Sequence, residues 1–220
     1  MAKRKNKLAF PIGLLTVAFA IIGIASTVSF GIDKYNDIKN GLIAQSGYEE
    51  FIKPVIMFDP EPFDDLEKAD KSQLMNAAIW ALLMSENGTE GYSYSEGETV
   101  GIVVPQEDLE SYFTYLFGTE IDVTQIHSSL DMSAYGVSYD AAQKSYILPI
   151  TGIEFAYTPK VTKVKKLGDS VVLTVSYIGN KAYAEIQNGE YVAPEADKVM
   201  SITLRERDGK KYVSAIAVSS

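Results

Sequence analysis

The sequence predicts an α+β protein that begins with an N-terminal transmembrane helix. A charge-free apolar stretch lies near the N-terminus, and two segments whose apolar side chains have helical spacing follow it. After residue 120, apolar side chains instead occur at every second residue, the period of a strand. Strands that follow helices in separate blocks are typical of the α+β class. We therefore expect helices packed on one face of a curved antiparallel sheet of five or six strands.

Composition excludes several kinds of chemistry. The chain has 220 residues, enough for one domain with its own hydrophobic core. It has no cysteine, which removes disulfides, thiolate nucleophiles and cysteine zinc sites, and its single histidine leaves little for metal or triad chemistry. The sequence thus predicts no cofactor, no metal site and no catalytic residue.

The charges are distributed unevenly along the chain. Of the 20 lysines and arginines, four precede the first acid, Asp33. The remaining sixteen bases and all 29 acids lie in residues 31–220, which therefore carry a net charge of −13. A body that acidic does not favour phosphate backbones, so we expect no nucleic-acid partner. The four early bases are Lys3, Arg4, Lys5 and Lys7.

Residues 8–30 form an apolar segment without charges. As a helix it would span roughly 34 Å, against about 30 Å of bilayer hydrocarbon. The bases on its N-terminal side place residues 1–7 in the cytoplasm and the rest of the chain outside, by the positive-inside rule. The sequence thus predicts a single-pass protein of the cell membrane, with the lipid bilayer as one partner.

A cleavable signal peptide is the alternative interpretation of this segment. Ile24-Ala25-Ser26 matches an A-x-A cleavage site only loosely. The apolar run is also longer than the 7–15 residues of the apolar h-region of a signal peptide. We therefore favour an uncleaved anchor.

Residues 31–69 predict a stalk, with one or two short helices over residues 33–52, followed by an acidic linker. Gly41 and Gly47 interrupt the helical spacing of the stalk, and Val55–Phe58 could form an extended lead-in strand. Three prolines then stiffen the segment, and six acids fall within residues 59–70. The prolines are Pro54, Pro60 and Pro62.

Two helices are predicted in the domain that we place at residues 70–220. The first covers residues 71–86, with Asp70 as its N-cap and a stop at Asn87-Gly88. The second covers residues 105–117 and ends at Gly118. Its apolar residues follow helical spacing and form one face. They are Leu109, Tyr112, Phe113, Leu116 and Phe117.

Alternating apolar residues predict strands in the rest of the domain. Two hairpins are expected. One joins Val161–Leu167 to Ser170–Ile178 through the turn Gly168-Asp169, and the other joins Lys198–Arg207 to Lys210–Val218 through Asp208-Gly209. Short strands are also expected at Val100–Val104, Ser145–Pro149 and Tyr183–Ile186.

This order of elements resembles the cone-shaped, cystatin-like or nuclear-transport-factor-like ectodomains of small membrane proteins in Gram-positive bacteria. The resemblance covers roughly residues 70–218 and includes the segment LPITGIEFAYTPKVTKVKKLGDSVVLTVSYI. It implies a cone in which enzymes would use Asp/His pairs along the sheet. His127 is the histidine that this chain offers for such a pair.

Three further features are weighed as candidate sites. His127 could act as a base with Asp122 or Asp131, although a partly exposed loop histidine is the favoured interpretation. Tyr92 and Tyr94 lie in a Gly- and Ser-rich loop and are the candidate contact surface. The acids of residues 59–70 fit no calcium-loop pattern, so they predict a solvated segment.

The sequence predicts a non-enzymatic binding or assembly module of a cell-envelope or secretion-type complex, with a protein partner in the envelope. A small-ligand or hydrolytic pocket inside the cone is the alternative. A structural surface protein that associates only with itself is the third hypothesis, with sheet edges as its route.

Overall fold

The computed structural model describes residues 44–96, 100–149, 154–180, 185–187, 190–192 and 194–219. The expected transmembrane segment 8–30 and its four preceding bases lie outside these residues. Among the helices of the described part, none is long and apolar enough to cross a membrane. A compact unit extends from Gln45 to Ser220, and it includes residues 45–69, which the sequence indicated as stalk and linker.

Residues 44–56 are helical and are named α1. Ile52, Val55 and Ile56 are buried at helical spacing, which ties this helix to the hydrophobic core. The expected strand at 55–58 is therefore wrong: residues 55 and 56 are the last of the helix, and residues 57 and 58 form a turn. The chain then turns at Asp59, whose φ is 54°.

The two helices predicted within the domain are present. Helix α2 is Lys71–Leu83, and the Asp70 carboxylate caps it by accepting from the backbone N–H groups of Ser72 and Gln73. Helix α3 is Gln106–Phe117, and it ends at Gly118, whose φ of 71° suits glycine. The buried residues of α3 are Leu109, Phe113, Leu116 and Phe117.

The first sheet has four antiparallel strands in the order β1-β2-β4-β3. Helix α3 and three short 3-10 helices interrupt the chain between β2 and β3. The strands are β1 Ser93–Glu96, β2 Val100–Pro105, β3 Ser138–Asp140 and β4 Ser145–Pro149. The 3-10 helices are Val123–Gln125, His127–Ser129 and Ser133–Tyr135.

The second sheet is also four-stranded and antiparallel, in the order β10-β9-β6-β5. It consists of the two predicted hairpins, which meet along β6 and β9. A separate two-stranded ribbon joins β7 to β8. The strands are β5 Tyr157–Leu167, β6 Ser170–Gly179, β7 Glu185–Gln187, β8 Glu190–Val192, β9 Lys198–Arg207 and β10 Lys210–Val218.

The α+β composition is confirmed, but the predicted fold class is otherwise wrong. The residues described contain two four-stranded sheets where a single sheet of five or six strands was expected. The reason is strand pairing: the short strands β1 to β4 pair with one another across the α3 insertion, and the two hairpins pair with each other along β6 and β9. Alternating side chains predict that a segment is a strand and which face is buried, but not its neighbour.

Both sheets and all three helices contribute to one hydrophobic core. Strands β6 and β9 supply alternate side chains, among them Leu173, Val175, Ile202 and Leu204. Helix α3 contacts α2, β2 and β10, so it lies against both sheets. This central position lets α3 present polar side chains to the first sheet.

Candidate functional site

A buried polar cluster surrounds the single histidine. The His127 residue is only 3% exposed. Its Nε2 lies 3.0 Å from Oε1 of Glu110, and its Nδ1 lies 2.6 Å from the Tyr146 hydroxyl oxygen. Both ring nitrogens are therefore engaged. The favoured interpretation from the sequence, a partly exposed loop histidine, is therefore wrong, because the residue is buried; the carboxylate beside its ring is that of Glu110, and not of Asp122 or Asp131.

Two more side chains complete this cluster. The Gln106 amide donates to Oε1 of Glu110 at 2.7 Å, and its carbonyl oxygen accepts from the Tyr139 hydroxyl at 2.5 Å. The Tyr139 ring stacks on the His127 ring with centroids 5.7 Å apart and contacts the Tyr146 ring at 4.7 Å. We name these five residues the His127 cluster.

Local structure explains how the cluster assembles. Gln106 and Glu110 are one helical turn apart on α3, which places them on the same face. Tyr139 and Tyr146 are cross-strand partners of β3 and β4, which brings their rings together. The 3-10 helix that begins at His127 then fits between α3 and this strand pair. No sequence spacing reveals the arrangement, because it joins three separate segments.

Burial lowers the pKa of His127, while the hydrogen bond and the charge of Glu110 oppose that shift. A neutral imidazole has one donor and one acceptor nitrogen, and a carboxylate only accepts. Nε2 therefore donates to Glu110, and Nδ1 accepts from the Tyr146 hydroxyl. Burial also raises the pKa of Tyr146, which keeps that hydroxyl protonated.

The cluster meets solvent at the half-buried side chains of Glu110, Gln106 and Tyr139. The Glu110 side chain is 21% exposed, against 2% for His127. It lines a groove of about 620 Å³ together with Glu107 and Lys144. No described serine hydrogen-bonds to His127, so a Ser–His–acid triad is not assembled in this part of the chain. The imidazole chiefly holds the Glu110 carboxylate in place.

The tyrosines proposed as a contact surface differ in their surroundings. The Tyr92 hydroxyl donates to Asp108 at 2.9 Å, and burial raises the pKa of Tyr92 to about 12. Tyr94 is 60% exposed on β1, opposite Ile102. Among the described residues, no hydrogen bond or ring contact joins either tyrosine to His127. The three candidates therefore belong to separate places in the fold.

A second cavity lies between the three helices. It has a volume of about 930 Å³ and mostly apolar walls. Tyr115 and Met84 line it and are exposed by 55% and 41%. The edge of one ring meets the face of the other where Phe51 contacts Tyr115, with centroids 5.3 Å apart. We name this cavity the three-helix groove; its walls include Phe51, Pro54, Ala81, Met84, Tyr112 and Tyr115.

Sequence analysis missed this groove for a specific reason. Phe51 and Pro54 lie in the segment interpreted as stalk and linker, and Tyr115 lies off the apolar face of α3. The signal available was an aromatic side chain outside the core face of an otherwise regular amphipathic helix. That signal indicates that Tyr115 contacts another part of the protein or a partner, but it does not identify which helix or strand lies beside it.

Several acids of residues 59–70 form contacts within the protein. Asp59 pairs with Lys198, Asp64 lies 3.3 Å from Lys68, and Asp70 caps α2. Within the described part of the chain, no group of three or more metal-ligating side chains is positioned to hold an ion.

Comparison with known proteins adds no functional assignment. No family profile matches the chain, and no curated protein matches it significantly. The resemblance to cone-shaped ectodomains therefore stays a prediction.

Proposed function

We propose that this chain is a non-enzymatic binding or assembly module, anchored in the membrane by residues 8–30, that serves an envelope or secretion-type complex. The three-helix groove carries the proposal. An open cavity of about 930 Å³ with aromatic and aliphatic walls suits the apolar side chains of a protein partner. Exposed Tyr115 and Met84 are residue types enriched at interfaces.

The His127 cluster supports the non-enzymatic part of the proposal. A general base needs to reach the proton that it removes, but His127 is 2% exposed in its side chain and both ring nitrogens have partners inside the fold. Its contacts link α3 to the first sheet. A histidine so enclosed is suited to holding α3 against the first sheet.

Membrane attachment is supported by sequence alone. The apolar segment 8–30 and the four preceding bases fit an uncleaved anchor with the domain outside the cytoplasm. We expect the full chain to resist alkaline extraction from membranes and its domain to be cleaved by protease added to intact cells. Release by alkali would contradict the anchor.

Affinity capture from detergent extracts of the source cells tests the groove. We expect Tyr115→Ser to reduce recovery of the co-purifying partner at least tenfold. Tyr94→Ser is the matched control, because Tyr94 is equally exposed but lies on β1, outside the groove lining. Both variants should melt at the wild-type temperature. Equal recovery with both variants, or no partner above background, would contradict the proposal.

A small-ligand pocket at Glu110 is a second candidate function. Two carboxylates, Glu107 and Glu110, line the same groove of about 620 Å³, and His127 stands behind one of them. Fragment screening by NMR tests this candidate. Shifts confined to Thr124, Gln125 and Gln143, which line the groove, would favour it, and no shifts there would dismiss it.

A further inference from the structure

The second sheet is basic although the chain is acidic. Residues 157–179 and 198–218, which form its two hairpins, hold nine bases and three acids, a net charge of +6. The rest of residues 31–220 then holds seven bases and twenty-six acids, a net charge of −19. The net charge of the chain does not show this separation of a basic sheet from an acidic remainder. The fold creates it by placing both hairpins in one sheet.

The positive charge is concentrated on edge strand β5. Lys160, Lys163, Lys165 and Lys166 are all exposed and lie within seven residues of that strand. Lys160 pairs with Glu49 at 3.2 Å, while the other three form no ion pair with a described residue. At about 3.3 Å per residue these charges extend over roughly 20 Å. We name these four lysines the basic edge.

The groove between the neighbouring hairpin tips is electrically balanced. It contains Lys166, Arg205 and Lys211, but also the acids Asp169, Glu206 and Asp208. The whole β9–β10 tip, residues 205–211, has four bases and two acids, whereas residues 160–166 of β5 have four bases and no acid. Lysines on an edge strand also hinder pairing with a second sheet.

The basic edge lies beside the start of α1. Glu49 accepts a hydrogen bond from the Val161 backbone N–H at 2.8 Å, and Tyr48 lines the same groove as Lys166 and Gly168. The chain that precedes α1 contains the apolar segment 8–30. Fourteen residues lie between Phe30 and Gln45, and a fully extended chain of that length spans about 50 Å at most.

We propose that the basic edge docks on anionic phospholipid headgroups of the membrane in which residues 8–30 are anchored. A row of projecting lysines on a strand edge suits an extended layer of phosphates better than a single small anion, which would need a cavity. Tethering keeps the lysines at a high effective concentration near the headgroups. The inference rests on the proposed membrane attachment and adds the orientation of the domain.

The absence of cysteine allows a clean measurement on the full chain. Leu167→Cys places one fluorophore at the exposed end of β5, and Gln143→Cys places one in the exposed β3–β4 turn. The labelled chains are reconstituted into vesicles of phosphatidylcholine alone or of equimolar phosphatidylcholine and phosphatidylglycerol, each with a headgroup nitroxide quencher. We expect quenching at Leu167→Cys only in the anionic vesicles and little quenching at Gln143→Cys.

The triple variant Lys163→Gln/Lys165→Gln/Lys166→Gln tests the basic edge itself. Each lysine near an anionic surface contributes roughly a fivefold preference, so the docked-to-undocked ratio should fall about a hundredfold. The matched variant Lys53→Gln/Lys68→Gln/Lys144→Gln removes the same charge elsewhere and should keep the quenching. Added salt should release the edge, because ions screen charges beyond about 8 Å.

Quenching that is equal in neutral and anionic vesicles, or unchanged in the basic-edge variant, would overturn the inference. Binding of soluble polyphosphate without quenching by the bilayer would overturn it in favour of a free polyanion. Alkaline extraction distinguishes failure of the docking from failure of the anchor. If the chain resists alkali but its fluorophore is not quenched, the anchor is supported and the docking is contradicted. If alkali releases the chain, failure to float with anionic vesicles would overturn the docking as well.

Discussion

Tyr146 and Tyr177 are both fully buried tyrosines, but their hydroxyls have opposite hydrogen-bond status. The Tyr146 hydroxyl lies 2.6 Å from Nδ1 of His127, whereas the Tyr177 hydroxyl has no partner among the described residues. Burial raises the pKa of both phenols. The two residues therefore form a natural pair for measuring what the His127 cluster contributes to stability.

Replacement of each tyrosine by phenylalanine should have opposite consequences. Tyr146→Phe leaves Nδ1 of His127 buried without a donor, which costs about 1–3 kcal/mol. Tyr177→Phe removes an unsatisfied hydroxyl and should be neutral or slightly stabilising. Urea unfolding of the full chain in mild detergent measures both, with fluorescence of the single tryptophan, Trp80, as the signal. Equal destabilisation by the two changes would contradict this account.

The stability of the domain should fall as the pH drops below about 6.5, in part because of His127. Burial lowers the pKa of His127 below its usual 6.5, so the unfolded chain binds this proton more readily than the folded chain. The stabilisation is complete above the unfolded pKa and is lost as the pH falls through the folded one. His127→Gln should lack this component while keeping the pH dependence of the carboxylates. Parallel wild-type and variant curves over this range would refute the prediction.

Glu49 should stabilise the irregular part of edge strand β5. Its carboxylate accepts from the Val161 backbone N–H beside the register shift between Val161 and Lys163. Glu49→Ala should cost about 1–3 kcal/mol, as for loss of a hydrogen bond to a charged group, and should speed amide hydrogen exchange at Val161. Glu50→Ala is the matched control, because Glu50 is the next residue of α1 and its side chain is exposed. Unchanged exchange at Val161 would show that the bond is not maintained.

The start of α2 should depend on the Asp70 cap. Asp70→Ala removes the acceptor for the backbone N–H groups of Ser72 and Gln73 and should destabilise the domain by about 1 kcal/mol. Asp64→Ala removes a surface ion pair with Lys68 and should change stability by less than about 0.5 kcal/mol. A larger effect from Asp64→Ala than from Asp70→Ala would reverse this ranking.

Local patterns identified most of the regular elements. Asp70 and Gly118 correctly indicated helix ends, and the Asp208-Gly209 turn joins two strands with the predicted bounds, Lys198–Arg207 and Lys210–Val218. These signals depend on a few adjacent residues, so they can be recognised without knowledge of the fold. One or two short stalk helices were expected over residues 33–52, but the continuation of the helix to residue 56 was missed, because the nearby prolines and acids outweighed the spacing of Ile52, Val55 and Ile56.

The candidate sites depend on contacts between distant segments. Glu110 reaches His127, seventeen residues away along the chain, because α3 packs against the first sheet. The three-helix groove needs α1 beside α2 and α3, and a linker interpretation of its residues concealed it. Asp122, one of the two acids that the sequence offered as an alternative partner for His127, caps the 3-10 helix Val123–Gln125.

The sequence by itself determined the helix and strand segments, the scarcity of catalytic side chains and the acidic charge of residues 31–220. Each of these follows from composition or from periodicity along the chain. Tertiary structure alone decided that the strands form two sheets, that Glu110 is the partner of His127, and that nine bases gather in one sheet of an acidic protein. The physical reason is that strand partners and charge neighbours are chosen by packing across long separations, which local spacing does not encode.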